Sequence, residues 1–206
     1  MQKYPIAETF LSFQGEGAHC GRRAFFIRLF GCPVRCPWCD SVYAWRGNPP
    51  RFAYVDELVA EVVASRAEMV VLTGGEPCIH DVLPLVAALN ARGISVHLET
   101  SGVLDIPESA DARFAWVALS PKLFKLPLEK SLLRADELKL ILSDISELER
   151  YLEFAQLAKN AKWIWLEPEW SKASDKVLLG KIVDFVKDKG GRFRAGWQVH
   201  KNYSTL

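Results

Sequence analysis

The apolar residues of this chain switch repeatedly between a period of two and a period near 3.6, and that alternation most constrains its fold. Residues 24–30 read as a strand, with Phe25, Ile27 and Leu29 on one face. Arg28 lies on the other face, between Phe26 and Phe30. Residues 55–67 carry Leu58, Val59, Val62 and Val63 at helical spacing. A short, mostly β-branched run over 69–73 ends at Gly74-Gly75. The pattern predicts a second helix over 79–92, with Gly93 as its stop. Strands are expected at 94–100, 116–120 and 138–142. Ser143 or Asp144 caps a helix to about Asn160, with Glu147 three residues after Asp144. A strand over 163–167, a helix over 175–189 stopped by Gly190-Gly191 and a strand over 193–199 complete the series. Strand and helix in alternation predict an α/β fold with a parallel sheet and right-handed crossovers. No repeat, low-complexity segment or long linker interrupts it, and Asn48-Pro49-Pro50 reads as a turn. One domain over 1–206 is expected.

Charge and hydropathy narrow the function classes. Lys and Arg total 26 against 25 Asp and Glu, a net charge of +1, and the basic residues form no long run. Bulk electrostatic binding of nucleic acid is not expected. No stretch approaches the roughly 18–20 apolar residues that span a bilayer. Residues 1–9 carry Lys3 and Glu8 and have no signal-peptide core. A soluble, cytoplasmic protein is expected.

The polar segments all fall after strands. Gly31-Cys32, Thr73-Gly74-Gly75-Glu76-Pro77, Glu99-Thr100-Ser101-Gly102, Ser120-Pro121-Lys122 and Glu167-Pro168-Glu169 each follow one, and Gln198, His200 and Lys201 close the last. In a parallel sheet those ends share one side, where both barrels and open sheets place their sites.

Of five cysteines, Cys32, Cys36 and Cys39 fall within eight residues. A reducing cytosol disfavours disulfides, so the cluster reads as a metal site. Three thiolates can hold three irons of a cubane and leave the fourth open to a small ligand. The alternative is structural zinc with Cys20 or His19 as fourth ligand, although zinc sites usually pair two close-spaced knuckles. Cys20 and Cys78 stand apart and are expected as small, partly buried thiols.

The spacing Cys32-x-x-x-Cys36-x-x-Cys39, with Trp38 before the last cysteine, resembles the cluster loop of radical S-adenosylmethionine (SAM) enzymes. Gly74-Gly75-Glu76-Pro77 resembles their motif for the SAM amino group. Phe13-Gln14-Gly15-Glu16-Gly17, Cys39-Asp40-Ser41, Ser120-Pro121-Lys122 and Gln198-Val199-His200-Lys201 are similar to the 7-carboxy-7-deazaguanine synthase family. The resemblance covers essentially the whole chain. It implies a shortened, incomplete radical-SAM (β/α) barrel of mostly parallel strands, typically a homodimer. It implies a lyase that turns 6-carboxy-5,6,7,8-tetrahydropterin into 7-carboxy-7-deazaguanine and ammonia, a step toward queuosine and other deazapurines. A [4Fe-4S] cluster, reduced by an electron-donor protein, splits SAM to a 5′-deoxyadenosyl radical that takes hydrogen from the pterin. SAM is regenerated, and Mg²⁺ assists.

The resemblance also assigns residues. Cys32, Cys36 and Cys39 hold the cluster. Trp38, Cys39, Asp40, Gly75, Ser120, Pro121, Lys122, Glu167, Pro168, Glu169 and Trp170 fall to SAM, with Glu167 standing where the family usually has Gln. A glycine pair such as Gly74-Gly75 lets backbone approach a ligand that a Cβ would block. Ser41 offers a hydroxyl to Mg²⁺, where the family usually has Thr. Arg28 is matched to the pterin carboxylate by its bidentate fork, or else forms a buried ion pair. Phe13, Gln14, Gly15 and Glu16 face the pyrimidine edge, and Thr73 also touches substrate. The carboxylate of Leu206 is placed to face the pterin. Asn202 stands where the family has Tyr. His19, His80 and His97 are expected to be satisfied by local hydrogen bonds. A glycyl-radical activase would share the cysteine and glycine motifs but lack the Gln-Gly-Glu-Gly and Gln-x-His-Lys segments. A non-catalytic iron–sulfur module would need no enclosed mouth.

Overall fold

A computed structural model describes residues 2–203, so Leu206 lies outside the described residues. Nine strands form one sheet in the order β3-β1-β2-β4-β5-β6-β7-β8-β9. Seven run parallel: β2 (Arg23–Leu29), β4 (Met69–Gly74), β5 (Ser95–Thr100), β6 (Trp116–Leu119), β7 (Glu137–Leu142), β8 (Trp163–Pro168) and β9 (Phe193–Ala195). β3 and β9 remain edges, so the barrel is incomplete.

Two strands escaped the sequence pattern. β1 (Lys3–Phe13) pairs antiparallel with both β2 and β3 (Arg51–Tyr54). Pro5 and a register shift between Ile6 and Glu8 break the alternation of β1, which hides it from a period-two search. The sheet is therefore parallel with an antiparallel hairpin and edge added at its start.

Five helices cover the outer face: α1 (Val55–Ser65), α2 (Leu83–Asn90), α3 (Glu129–Arg134), α4 (Leu148–Leu157) and α5 (Lys176–Lys189). α2 starts later than the apolar pattern suggested. A 3-10 turn over Pro77–Ile79 comes first, and Pro84 in the first helical turn sets the α-helical start. α3 is too short to show a period. Asp144 and Glu147 form the expected capping box, but around a 3-10 turn before α4. Asp175 caps α5 through the amides of Val177 and Leu178 at 3.0 and 3.1 Å, and Gly190, at φ 54°, ends it. β9 stops at Ala195, and the chain turns back across the sheet.

Two apolar clusters lie between sheet and helices, and a third, small one of Ala24, Met69 and Val71 with Phe26 lies on the inner face. Ile27, Leu29, Val70, Leu72 and Leu98 pack against Leu58, Val62, Leu85 and Leu89 of α1 and α2. Leu138, Leu140, Ile164 and Leu166 pack against Tyr151, Phe154, Leu178 and Ile182 of α4 and α5. Each strand therefore spends one face on the core. The opposite face is free for Arg28, Glu99, Glu137, Lys139 and Glu167, and it lines the concave interior. Among the described residues no helix is long and apolar enough to cross a membrane.

Candidate active site

The strand ends meet over one open cavity of about 300 Å³. The parallel strand direction brings in Thr73, Gly74 and Gly75 from β4 and its loop, Ser120 and Lys122 from after β6, and Pro168, Glu169 and Trp170 from the end of β8. The antiparallel hairpin adds Phe13, Gln14, Gly15, Glu16 and Arg28. The cluster loop adds Cys36, Trp38, Cys39, Asp40 and Ser41. Three assigned residues do not line the cavity: Cys32, Pro121 and Glu167.

Hydrogen bonds lock the cluster loop to the glycine loop. Gly75 N–H donates to the Leu29 carbonyl at 3.1 Å and Glu76 N–H to the Gly31 carbonyl at 2.9 Å. A Cβ on Gly75 would sit 2.3 Å from the Gly31 oxygen and 2.6 Å from Cys32 Cβ. One on Gly74, at φ 154°, would sit 2.3 Å from the Leu29 oxygen. The glycine pair is thus required for backbone contact between two strand ends, and it also leaves the cavity wall bare. Glu76 is buried and pins this loop to β5, accepting from Thr100 Oγ1 at 2.7 Å, Ser101 N at 2.8 Å and Ser101 Oγ.

Cys32, Cys36 and Cys39 lie on one loop, and burial, with smaller contributions from Cys39 and Cys32, pushes the Cys36 thiol up. A bound metal reverses that direction, since coordination deprotonates a thiol. Trp45 donates its indole N–H to Cys39 Sγ at 3.4 Å, and Lys125 donates to the Pro33 carbonyl at 2.6 Å. His19 does not serve as a fourth ligand. It contacts His97 and Trp116, which pair across the N-terminal halves of β5 and β6, away from the strand ends that carry the cysteine loop. Among the described residues no three His, Cys, Asp or Glu converge as a single-ion site. Cys78 is half-buried as expected, but Cys20 is exposed, because it sits on the turn before Gly21. Of the histidines, His80 bonds the Phe30 carbonyl at 2.9 Å and His19 Nδ1 bonds Arg22 at 3.2 Å, while among the described residues the buried Nε2 of His19 has no partner.

At the other side of the cavity Arg28 donates Nε–H to Glu8 Oε1 at 2.7 Å. Tyr43 O–H donates to the same oxygen at 2.6 Å. Burial and then Glu8 push the Tyr43 hydroxyl up to about 12, so it stays a donor. Glu8 holds the guanidinium by one edge, which is the ion pair that the sequence offered as the alternative for Arg28. Asp40 accepts from Lys201 at 2.8 Å and from Ser41 at 3.1 Å. Burial favours its neutral form, but Lys201 and Ser41 hold its carboxyl below the usual range. The floor is a charged network. Lys139 donates to Glu16 at 2.6 Å and to Glu99, Gln14 donates to Glu99 at 3.0 Å, and Gln198 donates to Glu16 at 2.7 Å. Burial raises Glu16, but Lys139 outweighs it and keeps that carboxylate ionised.

Residues 26–164 match the Radical SAM superfamily. A 7-carboxy-7-deazaguanine synthase from Synechocystis sp. is 39% identical over 199 residues, covering 96% of this chain and 91% of the relative. The chain belongs to the 7-carboxy-7-deazaguanine synthase family. A second such synthase, from Flavobacterium psychrophilum, is 35% identical over 96% of this chain and 90% of its own length. The crystal structure of QueE from Escherichia coli superposes with a TM-score of 0.82 at 32% identity, covering 96% of this chain and 95% of that one.

Membership in this synthase family brings a [4Fe-4S] cluster and SAM, and the site fits both. Three thiols share one loop, and the Gly74-Gly75 backbone faces the cavity beside it. The match to these synthases along the chain's length favours the synthase over a glycyl-radical activase. Sequence reasoning missed Glu8, Tyr43, Trp45, Glu99 and Lys139 as site residues. An acid buried in a strand was the available signal for Glu99.

Proposed function

We propose that this chain is a single-domain lyase that contracts the ring of 6-carboxy-5,6,7,8-tetrahydropterin to 7-carboxy-7-deazaguanine with loss of ammonia. One observation carries the reading. A single cavity joins a three-cysteine loop and a glycine pair to a guanidinium at one side and a carboxylate–amide floor below. The cluster and SAM, when bound, supply one-electron chemistry for removing a hydrogen from substrate. The chain's own residues bind and orient. Arg28 presents its free edge to the substrate carboxylate, while Glu8 fixes the guanidinium plane. Glu16, kept ionised by Lys139, accepts from the N–H groups of the pyrimidine edge, with Phe13, Gln14 and Gly15 beside it. Thr73 lies in register with Arg28 on the neighbouring strand, on the same side of the cavity. Gly75, Ser120, Lys122 and the segment Pro168-Glu169-Trp170 enclose SAM, with Trp38, Cys39 and Asp40 opposite, while Pro121 and Glu167 lie behind that wall. Ser41 supplies a hydroxyl to Mg²⁺, which also takes the substrate carboxylate and waters. An electron-donor protein reduces the cluster, two copies form a homodimer, and the enzyme works in the cytoplasm.

Anaerobic turnover tests the reading. Reconstituted protein with the pterin, SAM, reductant and Mg²⁺ should yield the deazaguanine. An intact cluster that cleaves SAM yet forms no such product would overturn it.

A further inference from the structure

Beneath the cavity floor the inner face of the sheet holds more negative charge than one ammonium balances. Glu16, Glu99 and Glu167 face Lys139 there, and Glu137, a fourth carboxylate, faces Glu167. Three have donors. Glu16 and Glu99 share Lys139 and take one amide each. Glu137 accepts from Ala18 N–H at 2.9 Å and from the Trp165 indole at 2.7 Å. Glu167 is 0% exposed, and among the described residues neither of its oxygens has a partner. β8 puts it there: Ile164 and Leu166 enter the helix-side core, so Glu167 takes the inner face. A Cβ on Gly196 would lie 2.6 Å from Glu167 Cγ and Oε1, so packing is tight on that side. An ionised carboxylate without donors is costly to bury, whereas a carboxylic acid is far less so.

We propose that Glu167 is a positioning residue that works as a neutral carboxylic acid, leaving the Lys139 ammonium to Glu16 and Glu99 so that they keep the cavity floor in order. The proposal rests on the functional reading, in which Glu16 meets the pyrimidine edge. The groups that face Glu167 are Glu16 and Cys20 from the segment after β1, Glu99 from β5, and Glu137 and Lys139 from β7. Burial, then Glu16, Glu99 and Glu137, raise its pKa to about 8, with Lys139 opposing. Lys139 itself is pulled down by burial but held well above its usual value by Glu16 and Glu99. Above pH 8 the Glu167 proton leaves to hydroxide. The new carboxylate then competes for Lys139, and Glu16 loses its share.

The test compares wild type with E167Q as reconstituted holoenzyme under anaerobic conditions, using 6-carboxytetrahydropterin. The readout within each protein is the ratio of kcat/KM at pH 9 to that at pH 7. With a pKa near 8, the wild-type ratio should be about one-tenth. The E167Q ratio should be at least about fivefold higher, because an amide does not titrate in this range. If E167Q does not hold its cluster, E167M takes its place as an uncharged side chain of similar length. A second readout needs no turnover. The infrared carboxylic-acid band of wild type at pH 7 should shrink at pH 9, and the part that shrinks should be missing from E167Q. Equal rate ratios in the two proteins would overturn the proposal, and so would an infrared band that does not respond to pH. Absence of product at every pH would sink the functional reading instead, and the infrared band would still decide whether Glu167 is neutral.

Discussion

Replacing Arg28 by Ala removes the guanidinium from the cavity and also uncovers Glu8. Arg28 and Glu8 are 17% and 23% exposed and bonded at 2.7 Å, so each screens the other. Two effects then act on a carboxylate-bearing substrate. The lost charge-assisted contact is worth roughly 1.5–3 kcal/mol, or about ten- to a hundredfold in pterin affinity. The uncovered Glu8 adds like-charge repulsion, so the single variant should fall at or beyond the upper end of that range. R28A/E8Q removes the repulsion and should bind the pterin more tightly than R28A alone, though still below wild type. Arg28→Lys should recover part of the loss, because ammonium lacks the fork that engages Glu8 and substrate together. Equilibrium binding of the pterin to reconstituted protein measures each value, with iron content and SAM affinity as controls that should not move. Wild-type pterin affinity in R28A would show that the Glu8–Arg28 pair is structural only.

Alanine at Cys32, Cys36 or Cys39 should abolish the brown cluster or SAM cleavage, while C20A and C78A keep both. Iron and sulfide analysis reads this, and cluster loss in C20A would restore a zinc-like ligand count. Gly75→Ala forces a Cβ to within 2.3 Å of the Gly31 carbonyl oxygen, overpacking worth about 1–3 kcal/mol. It should lower both iron content and SAM affinity, whereas unchanged values would mean that the loop yields freely. If SAM is regenerated, product should exceed 5′-deoxyadenosine many-fold when both are quantified in one reaction. Equal amounts would place the enzyme among those that consume SAM.

The parts of the fold legible in the sequence are those with an uninterrupted period. β2, β4, β5 and the helices α1 and α5 announce themselves because their core-facing residues stay apolar from end to end. β1 does not, since Pro5 and the bulge near Glu8 shift its inward residues out of phase. The cysteine loop and the glycine pair are local motifs, and a local motif survives in one dimension. The ion pairs of the site are not local. Glu8 reaches Arg28 across an antiparallel pairing, Tyr43 reaches Glu8 from the loop after the cysteines, and Lys139 joins Glu16 and Glu99 from three different segments. Such pairings exist only after register is set. Glu167 shows the reverse case. Its place at a strand end was readable, but its facing into the buried interior depended on which side of β8 the helices cover.

The segment after β9 returns to the first loop of the chain. Val199 N–H donates to the Gly15 carbonyl at 2.9 Å, and Gln198 joins Glu16 across 182 residues of sequence. During synthesis at roughly 5–20 residues per second, on the order of 10–40 s separate the emergence of these two partners. The cysteine loop therefore leaves the ribosome long before the wall that will cover the floor beside it. Over that interval the half-built barrel is an open cup, accessible to whatever delivers iron and sulfide. Gln198 and Val199 then close the floor, so the wall of the substrate pocket is completed only after every strand of the sheet has emerged.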